Sequence, residues 1–442
     1  MNYKLSKFNY YLPASSEMEQ RVYVFNTLTR NLVRFPGTIN TEEVSRLGQN
    51  DIDALYSMGI FVDEKTDEIE AMSTYMDIKK YEQKRLYVTI IPTDACNFRC
   101  IYCYQPEKAA IMTEGTLEKI LKWFERNLRY YDELSLGWFG GEPLLQPSIV
   151  LKLLSRIHDL CKINRVAMIS SVTTNGYTID IDLFKQLLTN GLLYYQITVD
   201  GDEATHNLQR PHKTNKDSYG RIMQNLSDMK KLPHRYRFEV GIRINISGSM
   251  KKGTIYGFID KMAELFAEDK RFVIIWQWVR DWGGVRIAHH DKGNLVQTSN
   301  VCAEYIEYAK SKGLSVADIV STMTGTDSCE AYYKNGYVFN HDGRVFKCAM
   351  CLGDEKNNCI GYIDDNGIMR VDSSKELPWL THDKITGECA ECVYLPLCYT
   401  SRCHYSMKVR KSLKCLEYKD LILPQIEQMI EKHNYHVVGS FE

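Results

Sequence analysis

The 442-residue chain contains no run of 18 consecutive apolar residues, and a membrane-spanning helix needs about 20. A spanning helix is therefore excluded. The first residues, "MNYKLSKFNYYLP", lack the apolar core of a secretory signal. The expected compartment is the cytoplasm. Excess charge of either sign is also lacking. Against 55 Lys and Arg stand 56 Asp and Glu, a net charge of −1. Nucleic acid and membrane surfaces recruit proteins through basic patches, so neither is expected as a partner. The chain has no internal repeat and no low-complexity tract. No side chain stands out as a general base.

What is present is a globular composition, 44% apolar and 25% charged. That suffices for a core and for one large or two to three ordinary domains. Cysteine is plentiful, with 14 residues. In a reducing compartment these do not form a disulfide framework. They cluster instead: Cys96, Cys100 and Cys103, then Cys329, Cys348, Cys351, Cys359, Cys389, Cys392, Cys398, Cys403 and Cys415. Clustering points to metal. Only Cys161 and Cys302 stand apart. Cys161 lies in the amphipathic "SIVLKLLSRIHDLCKI" and reads as a small core residue.

Three regions follow from the pattern. Residues 1–80 read as a small winged-helix-like domain. "RVYVFNTLTRNLVRF" is a hairpin, two β-rich runs around a polar turn. "NTEEVSRL" and "QNDIDALYSMG" are short helices, the second ending at Gly59. "IFVDEKTDEIE" carries a wing strand, and a helical linker follows. Residues 81–282 alternate strands with helices. "RLYVTII", "LSLGWF", "VAMISSV", "LLYYQITV", "RFEVGIRINI" and "FVIIWQWV" are the strands. Six such units predict an α/β class and a parallel sheet curved into a partial (β/α)6 barrel. Chemistry in such folds sits at the strand C-terminal ends. Residues 283–442 form a bridge and a cysteine-rich domain organised around metal, closed by the helix "LILPQIEQMIEKH".

The loop after the first strand reads "DACNFRCIYCYQPE", a C-x3-C-x2-C run. Iron–sulfur and zinc sites usually take four ligands. Three imply either an open metal position or a distant fourth ligand, as in a zinc loop. "CNFRCIYC" after a first α/β strand resembles the signature of the radical SAM superfamily. The resemblance implies that Cys96, Cys100 and Cys103 hold a 4Fe–4S cluster. Its open iron would take the amino and carboxylate groups of S-adenosylmethionine, and electron transfer would release a 5′-deoxyadenosyl radical. It implies that Tyr102 lies beside the adenine. "WFGGEPLL" resembles the family's G-G-E motif, in which backbone and Glu142 bind the methionine ammonium. Gly140 and Gly141 are expected to let that backbone approach the ligand. "SVTTNGY" and "ITVDGDEATHNLQRP" also resemble segments of this superfamily. By that likeness Thr173 and Asn175 face the cofactor, and Arg210 pairs with its carboxylate.

The C-terminal cysteines resemble the SPASM extension of radical SAM enzymes, which holds two auxiliary 4Fe–4S clusters. Four residues, where three are usual, separate Cys398 from Cys403. The resemblance implies a distal cluster on Cys389, Cys392, Cys398 and Cys415, and a nearer one on Cys329, Cys348 and Cys403. Three clusters are then expected in all. The nearer one is a ligand short. Either Cys351 or Cys359 supplies the fourth, or one iron is open to a substrate thiolate, which favours thioether formation over carbon–carbon coupling.

Together these segments resemble SPASM-domain enzymes that modify ribosomally made peptides. Such enzymes carry an N-terminal leader-recognition domain, which holds the leader as an added strand. The hairpin at 22–35 is the expected edge. The implied activity is hydrogen abstraction from a precursor peptide, giving a thioether, a carbon–carbon crosslink or an epimerised residue. A flavodoxin- or ferredoxin-type protein would supply electrons. Two alternatives remain. One is an anaerobic sulfatase-maturating enzyme, which forms formylglycine on the same core. Those typically begin near the first strand and carry an Asp where this chain has Ala349. The other is a non-enzymatic zinc-binding adaptor.

Overall fold

The computed structural model describes residues 3–12, 22–35, 47–82, 84–105, 109–248, 250–279, 300–317, 329–382, 384–401, 403–409, 422–431, 434 and 436–437. All but Leu47 of the segment "NTEEVSRL", and Cys415, lie outside these, as does the side chain of Cys302.

The six expected strands form where the apolar runs place them. They are Arg85–Ile90, Glu133–Trp138, Ala167–Thr174, Leu192–Thr198, Glu239–Ile246 and Phe272–Trp278. Each pairs in parallel with the next. Four of the helices between them start on side-chain caps at Thr113, Asp180, Asp202 and Asp217, whose oxygens accept orphan backbone N–H groups. Strand alternation divides the sheet into two faces. Leu86, Val88, Ile90, Leu134, Leu136, Ile242 and Ile244 join helical Leu117, Phe124, Leu153, Leu226 and Ile259 in one core. The alternate positions are largely polar: Thr89, Ser135, Gln196, Arg243, Asn245 and Gln277. That face is left for chemistry.

The sheet does not stop at six strands. Gly336–Phe339 adds in parallel beside the first strand, Gly336 opposite Tyr87 and Phe339 opposite Ile90. Arg344–Phe346, Cys359–Ile363 and Met369–Val371 continue it in antiparallel fashion. Ser315–Val316 extends the opposite edge, giving 11 strands among the described residues. The cysteine-rich region thus begins as part of the main sheet.

The hairpin forms as expected, from Val22–Asn26 and Leu32–Phe35. Asn9–Tyr11 flanks its first strand. Asn26 closes the turn by accepting from the backbone N–H groups of Leu28 and Thr29. One face of this small sheet, Val24, Val33 and Phe35, packs on Leu55, Ile60 and Phe61. The other, Tyr23, Phe25 and Leu32, packs on Leu397, Ile422 and Ile426. Phe8, Met72 and Met76 share a third cluster with Tyr87, Tyr332, Leu395 and Tyr399. The N-terminal unit therefore shares cores with the main sheet and the cysteine-rich region. The hairpin edge is also not bare. His436–Val437 pairs in parallel with Val33 and Arg34.

Candidate functional site

The cysteine loop leaves the first strand at Ile91 and is held on three sides. Arg99 N–H donates to Pro211 O at 2.8 Å, and Ile101 N–H to Gln209 O at 3.0 Å. Glu142 N–H donates to Ala95 O at 2.8 Å. Cys96, Cys100 and Cys103 lie within electrostatic reach of one another. Burial pushes the Cys100 thiol up to about 12 and the Cys96 thiol to about 11. Such thiols stay protonated at neutral pH and surrender the proton to a metal. The donor set therefore fits a cluster held by thiolates. The described cysteines form no disulfide. Among the described residues no three His, Cys, Asp or Glu side chains are grouped for a single metal ion. A cubane cluster bonds one thiolate per iron, which asks for a wider spread of sulfurs than a single ion does.

Gly140 and Gly141 lie against the backbone of the cysteine loop. A Cβ on Gly140 would lie 2.4 Å from Thr93 O, and one on Gly141 2.3 Å from Ala95 O. Gly140 also has φ +132°. The close approach they permit is to the backbone of the cysteine loop. Glu142 is buried beside them. Its carboxylate accepts from Thr174 Oγ1 at 2.6 Å, Asn175 N–H at 2.6 Å and Leu144 N–H at 3.0 Å. Burial raises its pKa, and the donors oppose that rise. Asn175 Nδ2 donates to Asn97 Oδ1 at 2.7 Å, tying the end of the third strand to the cysteine loop. Thr173 is half-buried on the strand, and its neighbour Thr174 makes the bond to Glu142.

Tyr102 sits in a buried polar network. Its hydroxyl donates to Asp200 Oδ2. It accepts from Arg210 Nη1 at 2.9 Å and Asn245 Nδ2 at 3.0 Å. Asp200 also accepts from Asn245 N–H at 2.8 Å. Burial raises the Asp200 pKa, with Arg210 opposing. Arg210 Nε, Gln209 Oε1 and His206 Nε2 are buried with no hydrogen-bond partner. Asp200 N–H donates to His206 Nδ1 at 3.1 Å, which fixes that ring nitrogen as an acceptor.

His206 gives a pH test. Burial, then Arg210, hold its pKa well below the ordinary value. The folded state therefore refuses a proton that the unfolded state binds below about pH 6.5. Stability is present above that pH and falls as pH drops through it, by up to about 1.4 kcal/mol per pH unit. Denaturant unfolding from pH 7.5 to 5.5 should show this slope in the wild type and a shallower one in His206→Gln. Equal slopes would remove His206 as the cause.

The C-terminal hairpin meets this site. Its turn residue His341 pairs with Asp94 of the cysteine loop, Nε2 to Oδ2 at 2.9 Å. Glu330, next to Cys329, accepts from Thr89 Oγ1 at 2.6 Å. Tyr104, next to Cys103, donates to Met350 Sδ at 2.8 Å. Cys329 lies within electrostatic reach of Cys348 and Cys403. Lys347 is buried, its ammonium donating to Tyr333 O at 2.6 Å and Gly336 O at 2.8 Å. Burial pulls its pKa down to about 8. Further along, Cys389 and Cys392 pack on the cluster that holds Phe8 and Tyr399. Cys398 N–H donates to Tyr394 O at 2.9 Å.

Sequence reasoning missed Asn97, Thr174, Asn245 and the Asp94–His341 pair. Asn245 carried a signal: a polar residue in the apolar strand "RINI". The others gave none.

Residues 90–246 match the family model of the radical SAM superfamily. A cysteine-type anaerobic sulfatase-maturating enzyme of Clostridium novyi is 25% identical over 344 residues, 71% of this chain and 87% of the relative. The structure of native anSMEcpe with bound AdoMet and Cp18Cys peptide superposes with a TM-score of 0.57 at 20% identity, covering 79% of this chain and 99% of that one. Streptococcus suis SuiB bound to precursor peptide SuiA gives 0.50 at 12% identity, covering 92% and 97%. At these identities the two structures bear on the fold alone. Superfamily membership implies S-adenosylmethionine and a 4Fe–4S cluster. Residues 90–246 are a radical SAM domain, and the chain that carries them is a radical SAM enzyme.

Proposed function

We propose that the enzyme modifies a ribosomally made precursor peptide, held through its leader by the N-terminal sheet. One observation carries this reading. Phe8, Met72 and Met76 of the N-terminal unit share a core with the Cys389–Cys392 segment, on the same molecule as a three-thiol loop at the strand ends. The coverage supports it too: the SuiB fold takes in 92% of this chain and the anSMEcpe fold 79%.

Cys96, Cys100 and Cys103 hold the cofactor cluster. Cys389, Cys392, Cys398 and Cys415 hold a distal auxiliary cluster, and Cys329, Cys348 and Cys403 take part in a nearer one. When bound, the reduced cluster and S-adenosylmethionine supply a carbon radical that takes hydrogen from a substrate C–H bond. The residues do the rest. Glu142 has three donors, and a carboxylate has room for about four, which leaves one acceptor position for the methionine ammonium. Arg210 keeps Nε free of protein partners for its carboxylate. Tyr102 is fixed by Asp200, Arg210 and Asn245 beside the adenine site. Thr173, Asn175, Gly140 and Gly141 complete that pocket. A flavodoxin- or ferredoxin-type donor supplies electrons in the cytoplasm.

A second reading, sulfatase maturation, is favoured by the Clostridium novyi relative. Against it, the position of the expected Asp is Ala349, packed beside Ile91, Val338 and Phe346. No carboxylate stands there.

The test is anaerobic incubation of reconstituted enzyme with S-adenosylmethionine, reductant and a short precursor encoded beside its gene. Mass spectrometry should show loss of two hydrogens for a crosslink, or solvent deuterium uptake for epimerisation. An untouched precursor, with a sulfatase peptide converted to formylglycine, would decide for the second reading.

A further inference from the structure

The geometry points to Cys351 as the fourth ligand of the nearer auxiliary cluster, with Cys359 outside it. The inference rests on the reading that the C-terminal cysteines hold clusters.

Three observations separate the two cysteines. The first is strand parity. Cys359 is paired with Phe346 across the antiparallel ladder, so the two side chains share a face. Phe346 belongs to the cluster of Ile91 and Val338, and Cys359 packs against that cluster. Cys348 lies in the main core, with Cys351 and Cys403 packed against it. Cys359 therefore faces away from the group that contains Cys348. The second observation is hydrogen bonding. The Cys359 thiol donates to Gly361 O at 3.6 Å, whereas the Cys348 and Cys351 thiols contact each other.

The third is how the Cys348–Cys351 turn is held. Asn358 is fully buried. Its Oδ1 accepts from Cys348 N–H at 2.8 Å. Its Nδ2 donates to Cys348 O at 2.8 Å and Cys351 O at 2.9 Å. One amide thus fixes both ends of a C-x2-C turn, a spacing that brings two thiols to one metal site.

Four ligands leave no iron vacant. A substrate sulfur then has no metal position at this cluster, and a thioether formed through a metal-held thiolate loses its site.

The experiment uses full-length reconstituted protein and compares Cys351→Ala, Cys351→Ser and Cys359→Ala with the wild type. Iron analysis, Mössbauer and EPR spectra are the readouts, with 2-mercaptoethanol as a probe of vacant iron. With S-adenosylmethionine added to every sample to fill the open iron of the cofactor cluster, the wild type should hold about 12 irons, with spectra unmoved by the thiol. Cys351→Ala should lose iron or give an auxiliary signal that shifts on adding the thiol. Cys351→Ser, which keeps the turn and offers oxygen, should retain the iron with an altered spectrum. Cys359→Ala should match the wild type. Full iron with unchanged spectra in both Cys351 variants, or loss of cluster in Cys359→Ala, would overturn the assignment. A wild type with only about four irons would instead overturn the cluster reading beneath it.

Discussion

Replacing Cys96, Cys100 and Cys103 together by Ala should lower the iron content from about 12 to about 8 and abolish 5′-deoxyadenosine formation. The three thiols lie on one loop after the first strand. The fold should survive, because these side chains only edge the main core. Loop position depends on backbone bonds from Arg99, Ile101 and Glu142, which the substitutions leave in place. Far-UV circular dichroism should therefore stay unchanged while activity vanishes. Residual 5′-deoxyadenosine above background would place the cofactor cluster elsewhere. Stoichiometric zinc with little iron in the wild type would end the radical reading altogether.

A precursor lacking its leader should be modified about 10²–10⁴-fold more slowly, the gain a tether gives through effective concentration. Cleavage of S-adenosylmethionine without peptide should continue. The change is made in the peptide because of what the structure does with residues 1–80. Phe8, Met72 and Met76 are buried against Tyr87, Tyr332 and Tyr399. Deleting the domain would expose that surface, at about 1.5–3 kcal/mol for each large apolar side chain. Loss of activity would then report misfolding. Equal rates with and without leader would place recognition elsewhere. Leader affinity itself should be moderate, about micromolar, since a disordered segment loses entropy on ordering.

The six parallel strands were legible because each is a short apolar run bounded by polar turns. Three thiols, Glu142, Asn175 and Arg210 were legible as motifs, and the structure gathers them round one loop. What escaped was long-range pairing. "GYVF" at 336–339 carries no sign that it will lie beside residues 87–90, because parallel neighbours exchange no local signal. Thr174 escaped for a smaller reason. "TTN" offers two adjacent hydroxyls where the strand ends, and alternation cannot choose between them. The glycine pair was read for close approach, but the approach to the Thr93 and Ala95 carbonyls was not legible, since the motif does not say which backbone lies opposite. Cys351 and Cys359 could be told apart only once the pairing of Cys359 with Phe346 was known.

The pairing of His436–Val437 with Val33 and Arg34 bears on how the molecule is made. Roughly 400 residues separate the two strands. At about 5–20 residues per second, roughly 20–80 s of synthesis pass between them. During that time Leu32–Phe35 has no partner on its outer side, and Phe25 and Leu32 await Ile422 and Ile426. An unpaired strand beside uncovered apolar surface invites any extended chain nearby. The nascent enzyme thus displays, before it is finished, the same kind of edge that a leader peptide would take.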